Sequence, residues 1–327
     1  MSISPSAVVA AAVPGAPSIT HCARRKLRAV KRAVLIVNPF ATRVTEERIA
    51  RVEAAIGRVA AVATELTTHP RHATELVEQA GADVDAIFVF SGDGGFNEAV
   101  NGAGGTVPLG FIPGGGTSVL PRALGLPVDP VAAAERLAGA LAAGRVRRIS
   151  VGRVNGRRFA FSAGVGFDAE AVRRMDAHGR AADGRRPGDV RFAVTIARML
   201  IERRGRYEPA LEVEGLGRAA FALVANASPY TYVKGIPLTV APDAEFELGL
   251  DVVAPVRVRP AFVPRFLRYA LRGRGQERDP AILLAHDLDR ISVRCDAPMP
   301  LQADGEDLGD VEHAVFEAER DAVAVLV

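Results

Sequence analysis

The sequence predicts an α/β protein, in which a parallel-sheet nucleotide-binding domain is followed by a β-sandwich domain. Three observations predict this fold. Strand and helix patterns alternate with short links between about residues 31 and 148. Two glycine-rich turns follow neighbouring predicted strands within that part. From residue 149 onward, short β segments separated by Gly, Pro and Asn replace the alternation, which is typical of antiparallel sheets.

The length and composition are those of a globular protein. A chain of 327 residues is long enough for two domains that each bury a core. Hydrophobic residues make up 49% and charged residues 24%, and no apolar run approaches the roughly 20 residues of a membrane-spanning helix. The two cysteines, Cys22 and Cys295, have no metal-ligand spacing, so we expect free thiols in a reducing compartment.

Residues 1–30 are predicted to form a disordered tail. The first twenty are rich in Ala, Ser and Pro. A signal peptide has basic residues before its apolar region, but none precedes the apolar stretch 7–13. Basic residues cluster at 24–32 and again at 173–191, although the net charge is only +3. Such clusters attract phosphate-bearing partners, including anionic membranes. The absence of Trp and an aromatic content of 6% argue against nucleic acid as a partner.

Apolar periodicity defines the elements of the first domain. The predicted strands cover residues 33–37, 61–66, 84–90 and 108–112, and the predicted helices cover 45–60, 73–80, 119–124 and 129–143. In a parallel sheet of this kind, ligands bind beyond the carboxyl ends of the strands.

The first glycine-rich turn, Ser91-Gly92-Asp93-Gly94-Gly95, lies between a buried strand and a helix. Glycines let the backbone approach a bulky anion, and the amides of the helix's first turn point at it. A carboxylate beside a phosphate is repelled unless a metal ion, a sugar hydroxyl or water lies between them, so Asp93 favours a nucleotide with magnesium. The alternative is a structural turn in which Asp93 caps a helix.

A second glycine-rich turn, Pro113 to Ser118, follows the next predicted strand. Because a lone glycine turn is common, the two turns together are much more specific for phosphate binding than either alone.

The second domain is predicted to start near Arg148. Its β segments cover 149–154, 158–163, 210–214, 219–224, 250–253 and 291–295, and one helix covers about 188–203. The acidic turn Asp304-Gly305-Glu306 follows and offers a general base or a metal ligand. The last apolar strand, 322–327, has no partner nearby in sequence, so we expect it to join a sheet elsewhere.

These motifs resemble the diacylglycerol kinase and sphingosine kinase family, especially its bacterial soluble members. The matching motifs, in chain order, are Asn38-Pro39, Ser91 to Glu98, Pro113 to Gly115, Gly164 to Asp168 and Asp304 to Glu306. The resemblance implies a kinase-type ATP-binding domain at 31–148, completed by a returning strand at 317–327, and a lipid-substrate domain at 149–316.

The resemblance also implies an activity: ATP-dependent phosphorylation of the hydroxyl of a membrane lipid such as diacylglycerol, within phospholipid biosynthesis. Glu306 would deprotonate the lipid hydroxyl, and Asp93 would act in catalysis as a magnesium ligand. The implied nucleotide-binding residues are Asn38, Thr67, Gly92, Asp93, Gly94, Gly95, Asn97, Gly115, Gly116 and Thr117. ATP and Mg²⁺ would be the cofactors. We expect a cytoplasmic protein that binds the membrane surface peripherally, and leave a homodimer open.

The chain departs from the family pattern at several positions. Where the family usually reads Gly-Gly-Asp-Gly-Thr, Ser91 replaces the first Gly and Gly95 replaces the Thr. Gly116 and Ser118 replace a hydroxyl residue and an Asn in the second turn, and Leu248 interrupts a second-domain magnesium motif. These departures keep two alternatives open: a non-catalytic nucleotide- or lipid-binding homologue and, less favoured, a NAD-kinase-like enzyme.

Overall fold

The structure, a computed structural model, describes residues 31–177 and 189–327. The first part of the chain alternates strands and helices, as the sequence predicts. Its strands are β1 (Lys31–Val37), β2 (Ala60–Leu66), β3 (Ala86–Ser91) and β4 (Leu109–Pro113), and its helices are α1 (Glu46–Gly57), α2 (His72–Ala80), α3 (Asp93–Gly102), α4 (Val119–Ala123) and α5 (Pro130–Ala143).

The four strands form a parallel sheet in the order β2, β1, β3, β4. All six residues of β3 are buried, as expected for a central strand covered on both faces. Two of the flanking helices begin at side-chain caps: Thr45 accepts a hydrogen bond from the amide of Arg48 before α1, and Asp129 accepts one from the amide of Ala132 before α5. The sheet therefore presents the carboxyl ends of β1, β3 and β4 along one edge.

The second part of the chain is mostly antiparallel. Its elements are β5 (Val146–Val154), β6 (Arg157–Phe159), β7 (Ser162–Val165), α6 (Phe167–Ala177), α7 (Asp189–Glu202), β8 (Leu211–Val213), β9 (Gly217–Ala219), β10 (Ala222–Ala225), β11 (Thr231–Val233), β12 (Ile236–Leu238), β13 (Leu250–Pro255), α8 (Phe262–Arg272), β14 (Ile282–Leu288), β15 (Arg290–Ala303) and β16 (Glu306–Leu326).

Several boundaries differ from the sequence-based prediction. The predicted strand 158–163 is divided into β6 and β7, and 219–224 is divided into β9 and β10. The helices α6 and α8 were not predicted. The apolar residues of α8 do recur at helical spacing, but Pro264 within the run resembles a helix breaker, and α6 directly follows the glycine-rich end of β7.

The long hairpin of β15 and β16 joins the two parts. Near the end of β16, Val325 pairs in parallel with Leu109 of β4, while the same strand pairs antiparallel with β5. The expectation that the last apolar strand returns to a distant sheet is confirmed. The boundary predicted near Arg148 falls within β5, so one sheet of 14 strands continues across it.

Some predictions concern residues outside the described ranges. These are the disordered tail, Cys22, most of the basic cluster at 24–32 and the middle of the basic cluster at 173–191. Within residues 31–177 and 189–327, no helix is long and apolar enough to cross a membrane.

Candidate active site

A cleft with a volume of about 990 Å³ opens at the carboxyl ends of β1, β3 and β4. Its polar end is formed by the two glycine-rich turns and by the Asp304-Gly305-Glu306 turn between β15 and β16. Its other end is apolar, and the side chains there come from α7, α8 and the link between β9 and β10: Phe192, Ile196, Phe221, Phe262, Phe266 and Leu267. The cleft can therefore hold a molecule with one charged and one apolar part.

The two glycine-rich turns touch at Gly92 and Gly115. A Cβ atom added to Gly115 would lie 2.9 Å from the Cα of Gly92, so this contact excludes a side chain there. The turns are also joined by a backbone hydrogen bond, in which the amide of Gly114 donates to the carbonyl of Ser91 at 2.7 Å. The start of α3 has no side-chain cap, which leaves its first-turn amides available to an anion.

Asp93 caps a helix, but not its own. Its Oδ1 accepts hydrogen bonds from the amides of Val119 at 2.7 Å and Leu120 at 3.4 Å, at the start of α4. Burial raises the pKa of this carboxyl to about 6, against the lowering effect of those amides. Asp93 is thus a structural cap that holds the second turn in place. Because it also lines the cleft, its interpretation as a ligand of magnesium and nucleotide keeps its support.

The fit of magnesium to this site rests on Asp93. Magnesium is commonly held by one or two carboxylates together with the phosphates of the substrate and water, so a single carboxylate beside the phosphate site is a suitable donor set. Among the described residues, the only group of three metal-ligand side chains within 4.8 Å is His69, His72 and Glu75, which does not include Asp93. The magnesium contact of Asp93 stays a prediction.

Titration of Asp93 gives the first testable prediction. Because the pKa is about 6 in the fold and 3.8 ordinarily, the folded state binds the proton more tightly, and its stability falls as pH rises through this window. Asp93→Asn removes that dependence. We compare the unfolding free energies of the two proteins by urea titration at each pH. The value of the variant minus that of the unsubstituted protein should become more positive by up to about 3 kcal/mol between pH 4 and pH 7. A difference that is constant with pH would contradict the raised pKa.

Ser91 and Gly95 compensate for each other. A Cβ atom on Gly95 would lie 2.8 Å from the Cβ of Ser91 and would overlap its hydroxyl. The Ser91 hydroxyl is buried and has no hydrogen-bond partner among the described residues, and the residue lines the cleft. The departures from the family pattern at Ser91 and Gly95 therefore depend on each other. The hydroxyl of Ser91 occupies the space that a side chain at position 95 would need.

This dependence predicts the behaviour of paired variants. Gly95→Thr alone should lower the unfolding free energy by about 1–3 kcal/mol, because it overpacks the turn. Adding Ser91→Gly should restore most of the loss, which a thermal-unfolding double-mutant cycle would measure as a coupling of at least about 1 kcal/mol. Additive effects would show that the two positions do not share one space.

Asp304 is an anchor for three segments. Its buried carboxylate accepts hydrogen bonds from the side chain of Asn97 at 2.8 Å and from the amides of Ala160, Phe161 and Ser162 at 2.6, 3.0 and 3.1 Å. Burial raises the pKa of Asp304, and these donors oppose the rise. This residue fixes the turn that carries Glu306 against both α3 and the segment after β6.

Asn97 lies behind the cleft, and its predicted contact with the nucleotide stays a prediction. Its side chain is fully buried and is absent from the cleft lining. Its amide nitrogen donates to Asp304 and to the carbonyl of Arg158 at 2.9 Å, and its Oδ1 accepts from Arg157 at 2.8 Å. All the polar atoms of this side chain are used, so the structure supports a positioning role.

Glu306 stands across the cleft from the first glycine turn. Its Oε1 is 3.4 Å from the position that a Cβ atom on Gly94 would occupy. Its Oε2 forms an ion pair with the guanidinium of Arg157, a residue of β6 that also lines the cleft. Sequence analysis missed Arg157, because an arginine after an Asn-Gly turn has no distinguishing pattern.

The remaining predicted nucleotide-binding residues lie at the cleft. Asn38, Thr67, Gly116 and Thr117 all line it. The side chain of Asn38 accepts from the amide of Phe40 at 3.0 Å, which shapes the loop after β1. The amide of Thr67 donates to the carbonyl of Val37 at 2.8 Å. These hydrogen bonds hold both residues beside the glycine-rich turns.

A buried polar network of Asp168, Tyr230 and Gln302 lines part of the cleft. The Oδ2 of Asp168 accepts from the Tyr230 hydroxyl at 2.6 Å and from the Gln302 side chain at 2.8 Å. The Oε1 of Gln302 accepts from the amide of Gly305 at 2.9 Å, so the network also supports the turn that bears Glu306. Gly164 makes room for this carboxylate, since its added Cβ would be 2.8 Å from the Asp168 Cγ.

In the second part of the chain, Asp251 of β13 forms an ion pair with His286 of β14. The Asp251 carboxylate is 2.7 Å from Nδ1 of His286, and this contact raises the pKa of the imidazole. No group of three metal-ligand side chains forms there among the described residues.

Comparisons with known proteins bear on the family and the fold. The model of the diacylglycerol kinase catalytic domain matches residues 32–154. A diacylglycerol kinase of Bacillus subtilis (strain 168) is 34% identical over 143 residues, which are 42% of this chain and 46% of the relative. The chain thus aligns with about half the length of the curated relative that it matches.

Solved structures show the same fold over nearly the whole chain. The crystal structure of a diacylglycerol kinase from Bacillus anthracis str. Sterne superposes with a TM-score of 0.66 and 19% identity, covering 91% of this chain and 97% of that one. A second crystal structure from the same organism gives a TM-score of 0.72 with 21% identity, covering 93% and 97%. The resemblance to the diacylglycerol kinase family is confirmed: residues 32–154 match its catalytic domain, and the whole fold is that of its solved structures.

Proposed function

We propose that this protein transfers the γ-phosphoryl group of ATP to the hydroxyl of a membrane lipid such as diacylglycerol. The observation that carries the proposal is the position of Glu306. It lies near the first turn of α3, where we expect the phosphates to bind, in a cleft whose other end is apolar. A carboxylate between a phosphate site and an apolar pocket suits a kinase whose acceptor is a lipid alcohol.

The first step is the binding of the nucleotide phosphates by the backbone of the two glycine-rich turns. The uncapped amides of α3 would hold the phosphates, while Asp93 keeps the second turn in contact with the first. When bound, Mg²⁺ would offset the negative charge of the phosphates, and Asp93 is the residue that we expect to hold it.

The second step is the transfer. The lipid hydroxyl gives its proton to the Glu306 carboxylate as its oxygen forms a bond to the γ-phosphorus. The bond between that phosphorus and the oxygen bridging to the β-phosphate breaks, and ADP leaves with the electron pair. The products are ADP and a lipid phosphate, with the proton on Glu306, and no covalent enzyme intermediate is needed.

The acceptor would reach the cleft from a membrane surface. The exposed side of α8 carries Leu267 and Leu271, each 50% exposed, beside the exposed arginines Arg268 and Arg272. Leu267 also lines the apolar end of the cleft. We infer that this helix and the basic cluster at 24–32 hold the protein at anionic head groups.

The proposal is tested with labelled ATP. The protein is incubated with [γ-³²P]ATP, Mg²⁺ and either mixed vesicles that contain diacylglycerol or NAD. Label in the lipid fraction supports the proposal. Label in NAD would indicate the NAD-kinase-like alternative, and ATP binding without transfer would indicate a non-catalytic homologue.

A further inference from the structure

We propose that Arg157 binds the terminal phosphate of the nucleoside triphosphate, and that this binding releases Glu306 to act as the base. The inference rests on the proposed kinase function and adds to it a phosphate-binding residue and an order of events. It starts from an apparent conflict in the cleft, where the group expected to accept a proton is held in an ion pair.

The ion pair between Arg157 and Glu306 lies inside the cleft. The side chains of the two residues are 26% and 23% exposed, and both residues line the cavity. A carboxylate held by a guanidinium is a weaker proton acceptor, because the positive charge stabilises its ionised form. Glu306 therefore needs Arg157 to move, or to find a second negative partner, before it can serve as a base.

The guanidinium is placed to find that partner. Arg157 donates to Oδ1 of Asn97, a residue of α3, at 2.8 Å, and so it stands over the helix whose first turn forms the anion site. Glu306, its other partner, has its Oε1 3.4 Å from the position of a Cβ atom on Gly94 in that first turn. A phosphate at the start of α3 would thus arrive beside the guanidinium.

Arg157 also keeps an unused donor. Its Nε is buried and has no hydrogen-bond partner among the described residues. An unsatisfied buried donor is costly, and a phosphate oxygen would satisfy it. Because a guanidinium presents its donors as a planar fork, it can bind a phosphate through two nitrogens at once.

The chain offers a matched control at the next position. Arg158 is also on β6 and also binds a carboxylate, with its Nε and Nη2 at 2.9 and 2.7 Å from Glu319. Neither Arg158 nor Glu319 lines the cleft. The two arginines therefore make similar ion pairs, of which only the first lies beside the phosphate site.

The experiment measures the affinities of ATP, ADP and AMP by calorimetry for the unsubstituted protein, Arg157→Met and Arg158→Met. If Arg157 binds the terminal phosphate, Arg157→Met should weaken ATP binding at least 10-fold, ADP binding less than 3-fold and AMP binding not at all. Arg158→Met should change none of the three affinities by more than about 2-fold, although both variants lose an ion pair.

The outcomes separate the inference from the proposed function. Equal losses for ATP, ADP and AMP, or no loss for ATP, would overturn the role of Arg157 while leaving nucleotide binding intact. No ATP binding by the unsubstituted protein would overturn both. If Arg157→Met does not fold, Arg157→Lys serves instead. Lysine keeps the positive charge but lacks the planar set of guanidinium donors, so this variant should still weaken the binding of ATP more than the binding of AMP.

Discussion

Glu306→Gln should lower the turnover of lipid phosphorylation at least 100-fold, while the affinity for ATP stays the same or increases slightly. A positioned general base contributes about 10²–10⁴-fold to a rate, and glutamine keeps the size of the side chain but cannot accept the proton. The affinity for ATP should not fall, because the carboxylate acts on the acceptor and its loss frees Arg157. Steady-state kinetics with a saturating acceptor, together with ATP calorimetry, check both parts.

Glu319→Gln is the control for this variant. Glu319 also pairs with arginine, through Arg153 and Arg158, but it does not line the cleft. Its substitution should leave turnover within about 2-fold. A loss of turnover shared by both variants would point to general damage to the β16 strand, and near-normal turnover of Glu306→Gln would show that another group accepts the proton.

Asp304→Ala should destabilise the fold by at least about 3 kcal/mol. The substitution leaves four buried donors without an acceptor, namely the side chain of Asn97 and three backbone amides, and each unsatisfied group costs roughly 1–3 kcal/mol. Because these donors belong to α3 and to the segment after β6, the turn that carries Glu306 should also lose its position. The expected fall in melting temperature is at least about 4 °C for a chain of 327 residues, because the unfolding entropy is roughly 2.1 cal/mol/K per residue.

Asp310→Ala provides the matched surface control. Asp310 pairs with Arg173 at 2.6 Å, and its side chain is 49% exposed. An exposed pair of this kind contributes at most about 1 kcal/mol, so the melting temperature should change little. If the two variants lost the same stability, the carboxylate of Asp304 would not be the anchor that its four hydrogen bonds indicate.

The sequence predicted the elements of the parallel sheet well, because buried strands and amphipathic helices have distinct apolar periods. The strand predicted at 84–90 is β3, shifted by one or two residues, and the final apolar strand indeed joins the sheet beside β4. The helix α8 was not predicted, although Phe262 and Phe266 recur at helical spacing, because Pro264 resembles a helix breaker; it lies in the first turn, where proline is tolerated.

The polar end of the site was predicted only in part. The glycines, Asp93 and Glu306 stand out in the sequence, and the structure brings them together at one cleft. The roles of Asn97 and Arg157 could not be read from the sequence, since they depend on contacts between residues that are 60, 149 and 207 positions apart. Likewise, only the fold shows that Ser91 fills the space beside Gly95.

The most direct test of the central claim follows the γ-phosphate. The unsubstituted protein and Glu306→Gln are incubated with [γ-³²P]ATP, Mg²⁺ and vesicles that contain diacylglycerol, and the lipid is extracted and counted. We predict label in the lipid fraction with the unsubstituted protein and at least 100-fold less with the variant. Absence of labelled lipid with the unsubstituted protein, under conditions where it binds ATP, would contradict the assignment of a lipid kinase.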